Sequence, residues 1–103
     1  MTIFQIIFLI FASINGFFIG PVQSNKTKII AQHFDWVQSV DRAKIAIRLD
    51  AQRPEEKQPL NICIQVNINH EETKSGINIE EVEALAAVIH TLPRLKLRGL
   101  MTI

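Results

Sequence analysis

The feature that most constrains this chain is the nine-residue run Leu60 to Ile68, LNICIQVNI, followed at once by the polar stretch NHEETKSG from Asn69 to Gly76. A short apolar run bounded by turn residues reads as a β-strand. Ile62, Ile64, Val66 and Ile68 fill one face, and Leu60 and Cys63 keep the run apolar, so the spacing predicts a strand buried on both faces. In α/β proteins ligands gather where strands end at their carboxyl side. The loop carrying His70, Glu71, Glu72, Thr73, Lys74, Ser75 and Gly76 therefore stands where chemistry is expected.

The 103 residues suffice for one small domain, and 48% hydrophobic residues suffice for its core. Eleven basic against ten acidic residues leave no basic footprint, which argues against a nucleic-acid partner. A lone cysteine, Cys63, excludes an internal disulfide and a cysteine-rich zinc site and reads as a small buried hydrophobe. The averages hide a seam. No charged side chain precedes Lys26, and five of the six phenylalanines fall within the first 18 residues, so two unlike compositions meet near Asn15 to Phe18. Residues 1–16 form the apolar piece. With the next few residues it is long enough to cross a bilayer, and Ile6 to Ile14 has the length of a signal-peptide core. It lacks the basic residues ahead of it that a signal wants and the charged flanks that an anchor wants. Asn25-Lys26-Thr27 matches the glycosylation pattern, which a secreted or membrane reading would recruit.

From Phe17 onward the pattern alternates. Phe17 to Ile19 predicts a strand end closed by Gly20-Pro21. A helix capped by Ser24 or Asn25 follows, with Ile29, Ile30 and Phe34 on its apolar side. DWVQSVD is a short strand whose Asp41 is placed to cap a second helix, Arg42 to about Gln52, bearing Ala43, Ile45, Ala46, Ile47 and Leu49. Arg53 to Pro59 reads as a connecting loop with nothing to bury. After the central strand, Asn78 and Glu81 resemble a capping box with Ile77 and Val82 as its staple. They open a helix with Leu85, Ala86, Ile89 and Leu92 on one face, stopped by Pro93. RLKLRGLMTI is the last strand. Strand, helix, strand, helix, strand, helix, strand implies a parallel sheet with right-handed crossovers, either part of a (β/α) barrel or an open doubly wound sheet.

No catalytic constellation stands out. His33, His70 and His90 are too scattered for a metal site, and His90 sits in a last helical turn that favours partial positive charge. Lys74-Ser75-Gly76 lacks the preceding glycine of a Walker motif, and Gly76 is read as a positive-φ turn residue. Arg94, Lys96 and Arg98 read as a solvated rim at a strand start rather than as an anion site.

Four strings together carry a resemblance: FIGPVQSNK at Phe18 to Lys26, FDWVQSVDR at Phe34 to Arg42, IQVNINHEETKSG at Ile64 to Gly76 and LPRLKLRGLMTI at Leu92 to Ile103. In order and without gaps, they resemble the pyridoxal phosphate homeostasis proteins of the YggS/PROSC type. The resemblance implies an α/β fold, a (β/α) TIM barrel like the N-terminal domain of alanine racemase. It also implies pyridoxal 5′-phosphate (PLP) as the cofactor of the intact family, buffered and supplied to other enzymes rather than used in catalysis. On that pattern residues 17–103 are a partial PLP-binding barrel domain, about the third to sixth strands. The family's Schiff-base lysine lies on its first strand, a position that neither Lys26 nor Lys74 occupies, and its phosphate cradle also has no counterpart here. Met101, Asn67 and Lys74 carry over as the cofactor-side positions. Gly16-Phe17 stands where the family has Trp-His, so residues 1–16 are expected to be unrelated sequence, joined by truncation or a mis-drawn gene.

Two alternatives stay open at this stage: a PLP-dependent amino-acid racemase or decarboxylase on the same barrel, and a binding module anchored to a membrane through residues 1–16. The leading expectation is cytoplasmic, with the small-molecule cofactor as partner, no nucleic acid, no membrane and no metal, in a family that is largely monomeric. The chain by itself is expected not to hold PLP covalently, not to fold stably alone, and to self-associate. The reason is that half a barrel leaves open edges and turns Ile64, Val66 and Leu100 toward solvent.

Overall fold

The computed structural model describes residues 16–68 and 76–102, so His70 and Lys74 lie outside the described residues, as do residues 1–15. Four strands, β1 (Phe17–Phe18), β2 (Trp36–Val40), β3 (Leu60–Val66) and β4 (Leu95–Thr102), alternate with three helices, α1 (Thr27–His33), α2 (Ala43–Gln52) and α3 (Val82–His90). All neighbouring strands are parallel, and their spatial order is their chain order, β1-β2-β3-β4. A chain that steps the same way at each right-handed crossover lays every helix on one face of the sheet. That sequential order gives the arc of a (β/α) barrel and not a doubly wound sheet, which must reverse direction.

The helix-covered face holds the core. Val37 and Val40 of β2, Leu60, Ile62, Ile64 and Val66 of β3 and Leu95 of β4 bury against Ile30, Ile45, Ala46, Leu49, Leu85 and Ile89. Each large apolar side chain withdrawn in this way contributes roughly 1.5–3 kcal/mol. This corrects two expectations. Ile64 and Val66 do not look into a barrel interior; they lie under the helices and are fully buried. Nor is β3 buried and apolar on both faces, because the residues between them, Asn61, Cys63 and Gln65, form a separate and more polar concave face. Leu100, the register partner of Ile64 near the carboxyl end of the outermost described strand, is 52% exposed.

Local details depart from the sequence pattern for identifiable reasons. Ser24 starts a 3-10 turn, Ser24–Lys26, without a side-chain cap, and Ile29 points outward while Thr27 and Ala31 face the core. Ile47 is likewise exposed. Asp41 does not cap α2; its carboxylate is committed elsewhere, as described below. Ile79–Glu81 is a 3-10 turn ahead of α3, and the Asn78 amide donates to Glu81 Oε1 at 3.2 Å, side chain to side chain. Ile77 and Val82 do pack against the core as the staple requires.

The loop after α2 does bury something. Arg53 is only 2% exposed. Its Nη1 donates to the carbonyls of Ala31 at 2.8 Å and Phe34 at 2.6 Å, and its Nε donates to that of Gln58 at 2.9 Å. Ala31 and Phe34 supply orphan carbonyls at the end of α1, so a guanidinium there satisfies acceptors and complements the helix dipole together.

Candidate ligand site at the carboxyl edge of the sheet

Because the strands are parallel, their carboxyl ends line up along one edge, at Phe18, Val40, Val66 and Thr102. The return of the β3–α3 connection is fixed here. The Ile77 amide donates to Gln65 O at 3.0 Å and the Asn67 amide donates to Ile77 O at 2.8 Å, so Ile77 runs parallel to the end of β3, paired with Val66. β2 pairs with β3 only as far as Val40 with Ile64, and Ile77 takes the flank that β2 leaves free. The Gly76 amide then donates to Asp41 Oδ2 at 3.0 Å, tying the first residue after β2 to this returning segment. Gly76 has φ of +115°, in the region open mainly to glycine, and a Cβ there would lie 2.8 Å from the Asn67 nitrogen. The positive φ read from the sequence is therefore present, with a close backbone approach as its second cause.

Met101 is half-buried on the concave side of β4, in register with buried Gln65 on β3. Together with Asn67 it stands at the carboxyl edge; Lys74 lies outside the described residues. One level lower, both flanking ladders are irregular around Cys63. β2 places Gln38 and Ser39 between the pairs Val37–Ile62 and Val40–Ile64, and β4 inserts Arg98 between the pairs Ile62–Leu97 and Cys63–Gly99. Bulges re-aim side chains and are over-represented beside ligand sites. Ser39 is 2% exposed, and its Oγ has no hydrogen-bond partner, an orphan group in need of one. Burial pushes the Cys63 thiol above its ordinary value of 9.0, so it stays protonated and unreactive near neutrality.

The concave face below this level is aromatic and basic. Phe17 stacks on Trp36 with ring centroids 5.2 Å apart, and the Arg98 guanidinium lies 5.8 Å above the Trp36 ring. Arg98 Nε donates to Asn61 Oδ1 at 2.8 Å, and Asn61 Nδ2 donates to Asp35 O at 2.9 Å. Arg98 is thus stacked and bonded rather than a free rim residue. Arg94 is engaged as well, its side chain by Glu55 and its amide by Asp50 Oδ1 at 2.8 Å. Ser39, Asp41 and Arg53 were not legible as site or scaffold residues. Only the juxtaposition of Asp41 with Gly76, 35 positions apart, reveals the clamp.

Among the described residues no three metal-ligating side chains converge. Residues 12–103 match the family described as "Alanine racemase, N-terminal domain". The chain belongs to this family. Within it, the chain is 63% identical over 86 residues to the pyridoxal phosphate homeostasis protein of Haemophilus influenzae, covering 84% of this chain and 36% of that protein. It is 58% identical over 90 residues to the protein of the same name from Pseudomonas aeruginosa, covering 87% and 39%. PipY of Synechococcus elongatus, solved with PLP bound, superimposes with a TM-score of 0.73 at 32% identity, covering 84% of this chain and 40% of PipY. The chain therefore spans well under half the length of the relatives it matches.

Lys26, Lys28, Lys44 and Lys57 lie on the exposed outer side or in loops, and Lys96 pairs with Asn61 near the amino end of β4. The Gly76 amide is already spent on Asp41. No helix among the described residues is long and apolar enough to cross a membrane.

Proposed function

We propose that this chain is about the third to sixth strands of a PLP-binding barrel that buffers and supplies the cofactor, in the cytoplasm, without catalysing a reaction of its own. The observation that supports it is the singly wound arc itself. Its carboxyl edge is braced by the Asp41–Gly76 clamp and walled by Met101, Gln65 and Asn67, within a segment 63% identical to a pyridoxal phosphate homeostasis protein. PLP supplies an electrophilic aldehyde and a dianionic phosphate. On this reading Met101 contacts the ring side, and Asn67 and Lys74 border the opening. The lysine that captures the aldehyde and the amides that hold the phosphate belong to strands other than these, and residues 1–11, ahead of the family match, are not part of the barrel domain.

The test is to treat the chain with equimolar PLP, fix any lysine adduct with borohydride and map it. No lysine is expected to be modified above the level of a free-lysine control. Stoichiometric modification of Lys26, Lys28, Lys44, Lys57, Lys74 or Lys96 would overturn the reading, since the chain would then carry its own anchor.

A further inference from the structure

β2 ends at Val40, and Asp41 with Arg42 carries the chain into α2. Arg42 holds the N-cap position of α2, and no side chain caps that helix. An aspartate beside a helix start ordinarily turns back on the free amides of the first turn. The Asp41 carboxylate turns away instead and accepts from the Gly76 amide at 3.0 Å, with its side chain 23% exposed. An ionised acceptor makes such a bond stronger than one between neutral groups. Its position matters more than its strength. The β2–β3 ladder stops at the pair Val40–Ile64, and past that point Asp41 continues the connection through the returning segment. The Ile77 amide, next to Gly76, donates to Gln65 O at 3.0 Å, and Ile77 O accepts from the Asn67 amide at 2.8 Å; Gln65 is in turn the register partner of Met101. One carboxylate therefore steadies the backbone beside both Asn67 and Met101. Arg42 is a lesser member of the brace. Its Nε lies 3.8 Å from Asp41 Oδ1, its Nη2 donates to Val22 O at 3.4 Å, and more than half of its side chain is exposed, so its contacts are long and screened.

We propose that Asp41 is a positioning residue that sets the rate at which the barrel lets go of PLP, acting through Gly76 rather than on the cofactor itself. The proposal rests on the cofactor reading above and adds to it a control on supply. A protein that buffers a ligand must hold it and then yield it, and differences in retention among variants of one site fall mainly on the release rate. Wall residues hold a ligand only as well as the groups behind them hold the wall. Without the carboxylate, the Gly76–Ile77 segment loses its tie to the end of β2, and the end of β3 shifts more freely with it.

The test uses the 86 matching residues of this chain placed in the Haemophilus influenzae pyridoxal phosphate homeostasis protein, which supplies the rest of the barrel. The graft is loaded with PLP, freed of excess, diluted, and followed by the absorbance of the bound cofactor. Asp41→Ala is expected to release PLP at least about fivefold faster than the unaltered graft, the lower end of the coupling between linked positions. Asp41→Asn keeps an oxygen for the Gly76 amide and is expected to recover most of that change, while Arg42→Ala stays within about twofold. Val37→Ala is the control for lost stability, since Val37 is fully buried and pairs with Ile62 in the middle of the sheet. It is expected to lower the urea midpoint and to leave the release rate within about twofold. Unchanged release from Asp41→Ala would overturn the proposal, and so would equal acceleration by Val37→Ala or no recovery by Asp41→Asn. An unaltered graft that holds no PLP overturns the cofactor reading and this proposal with it, whereas a graft that holds PLP and is indifferent to Asp41 overturns the proposal alone. If Asp41→Ala does not fold by circular dichroism, Asp41→Ser replaces it, being too short to reach Gly76. The same acceleration is then expected, and its absence is equally decisive.

Discussion

Arg53→Met is expected to remove about 3–5 kcal/mol of folding stability, the range for stripping one partner from a buried charged network. The weight falls on the carbonyls. The ion pair with Asp35 is 3.4 Å long, and the Asp35 side chain is largely solvent-exposed, so that contact contributes little. Ala31, Phe34 and Gln58, in contrast, offer carbonyls to a guanidinium that is itself shielded from water, and a hydrogen bond from a charged donor is worth about 1.5–3 kcal/mol. Methionine fills much of the volume but leaves those acceptors unpaired. Arg53→Lys is expected to recover only part of the loss, because one ammonium cannot reproduce a fork that reaches α1 and the following loop together. Urea unfolding checks both variants. A loss below about 1 kcal/mol for Arg53→Met would mean that water satisfies the end of α1 and that this contact does not hold the loop.

Gly76→Ala is expected to cost about 2–4 kcal/mol, combining residence of a non-glycine residue at positive φ with a steric conflict. The added Cβ meets Asn67 N at 2.8 Å and Val66 C at 3.0 Å, both backbone atoms that cannot swing aside. The segment must move, and the Asp41–Gly76 and Asn67–Ile77 bonds loosen with it. Hydrogen exchange at the Asn67 and Ile77 amides should rise far more than at Ile62 in the strand centre. Equal loss of protection everywhere would instead mark Gly76 as a determinant of global stability with no special hold on the carboxyl edge.

The alternation of elements was fully legible, since period-two and helical apolar patterns report which side chains meet a core. What they do not report is which core. Ile64 and Val66 looked like barrel-interior residues because strand alternation names two faces without saying which one the helices cover, and only the sheet order decides it. Ile29 and Ile47 show the same limit on helices: Ile30 with Ala31, and Ile45 with Ala46, take the buried side, which leaves the adjacent isoleucine turned outward. Arg53 and Asp41 were misread for a different reason. A charged residue next to proline or at a helix start has a common local role, whereas theirs are set by partners about 20 and 35 positions away. The carried-over positions Met101 and Asn67 rest on resemblance alone, since no local pattern distinguishes them.

The most direct measurement is cofactor retention by a graft: the 86 matching residues of this chain placed into the Haemophilus influenzae pyridoxal phosphate homeostasis protein in place of its own. The purified graft is expected to keep about one equivalent of PLP through gel filtration, with the borohydride-fixed lysine mapping outside the grafted segment. Met101→Ala within the graft is expected to weaken retention several-fold, the effect of losing a buried apolar contact. A folded graft that holds no PLP, or one whose fixed lysine falls inside the grafted residues, would contradict the assignment of these strands as the wall of a cofactor-buffering barrel.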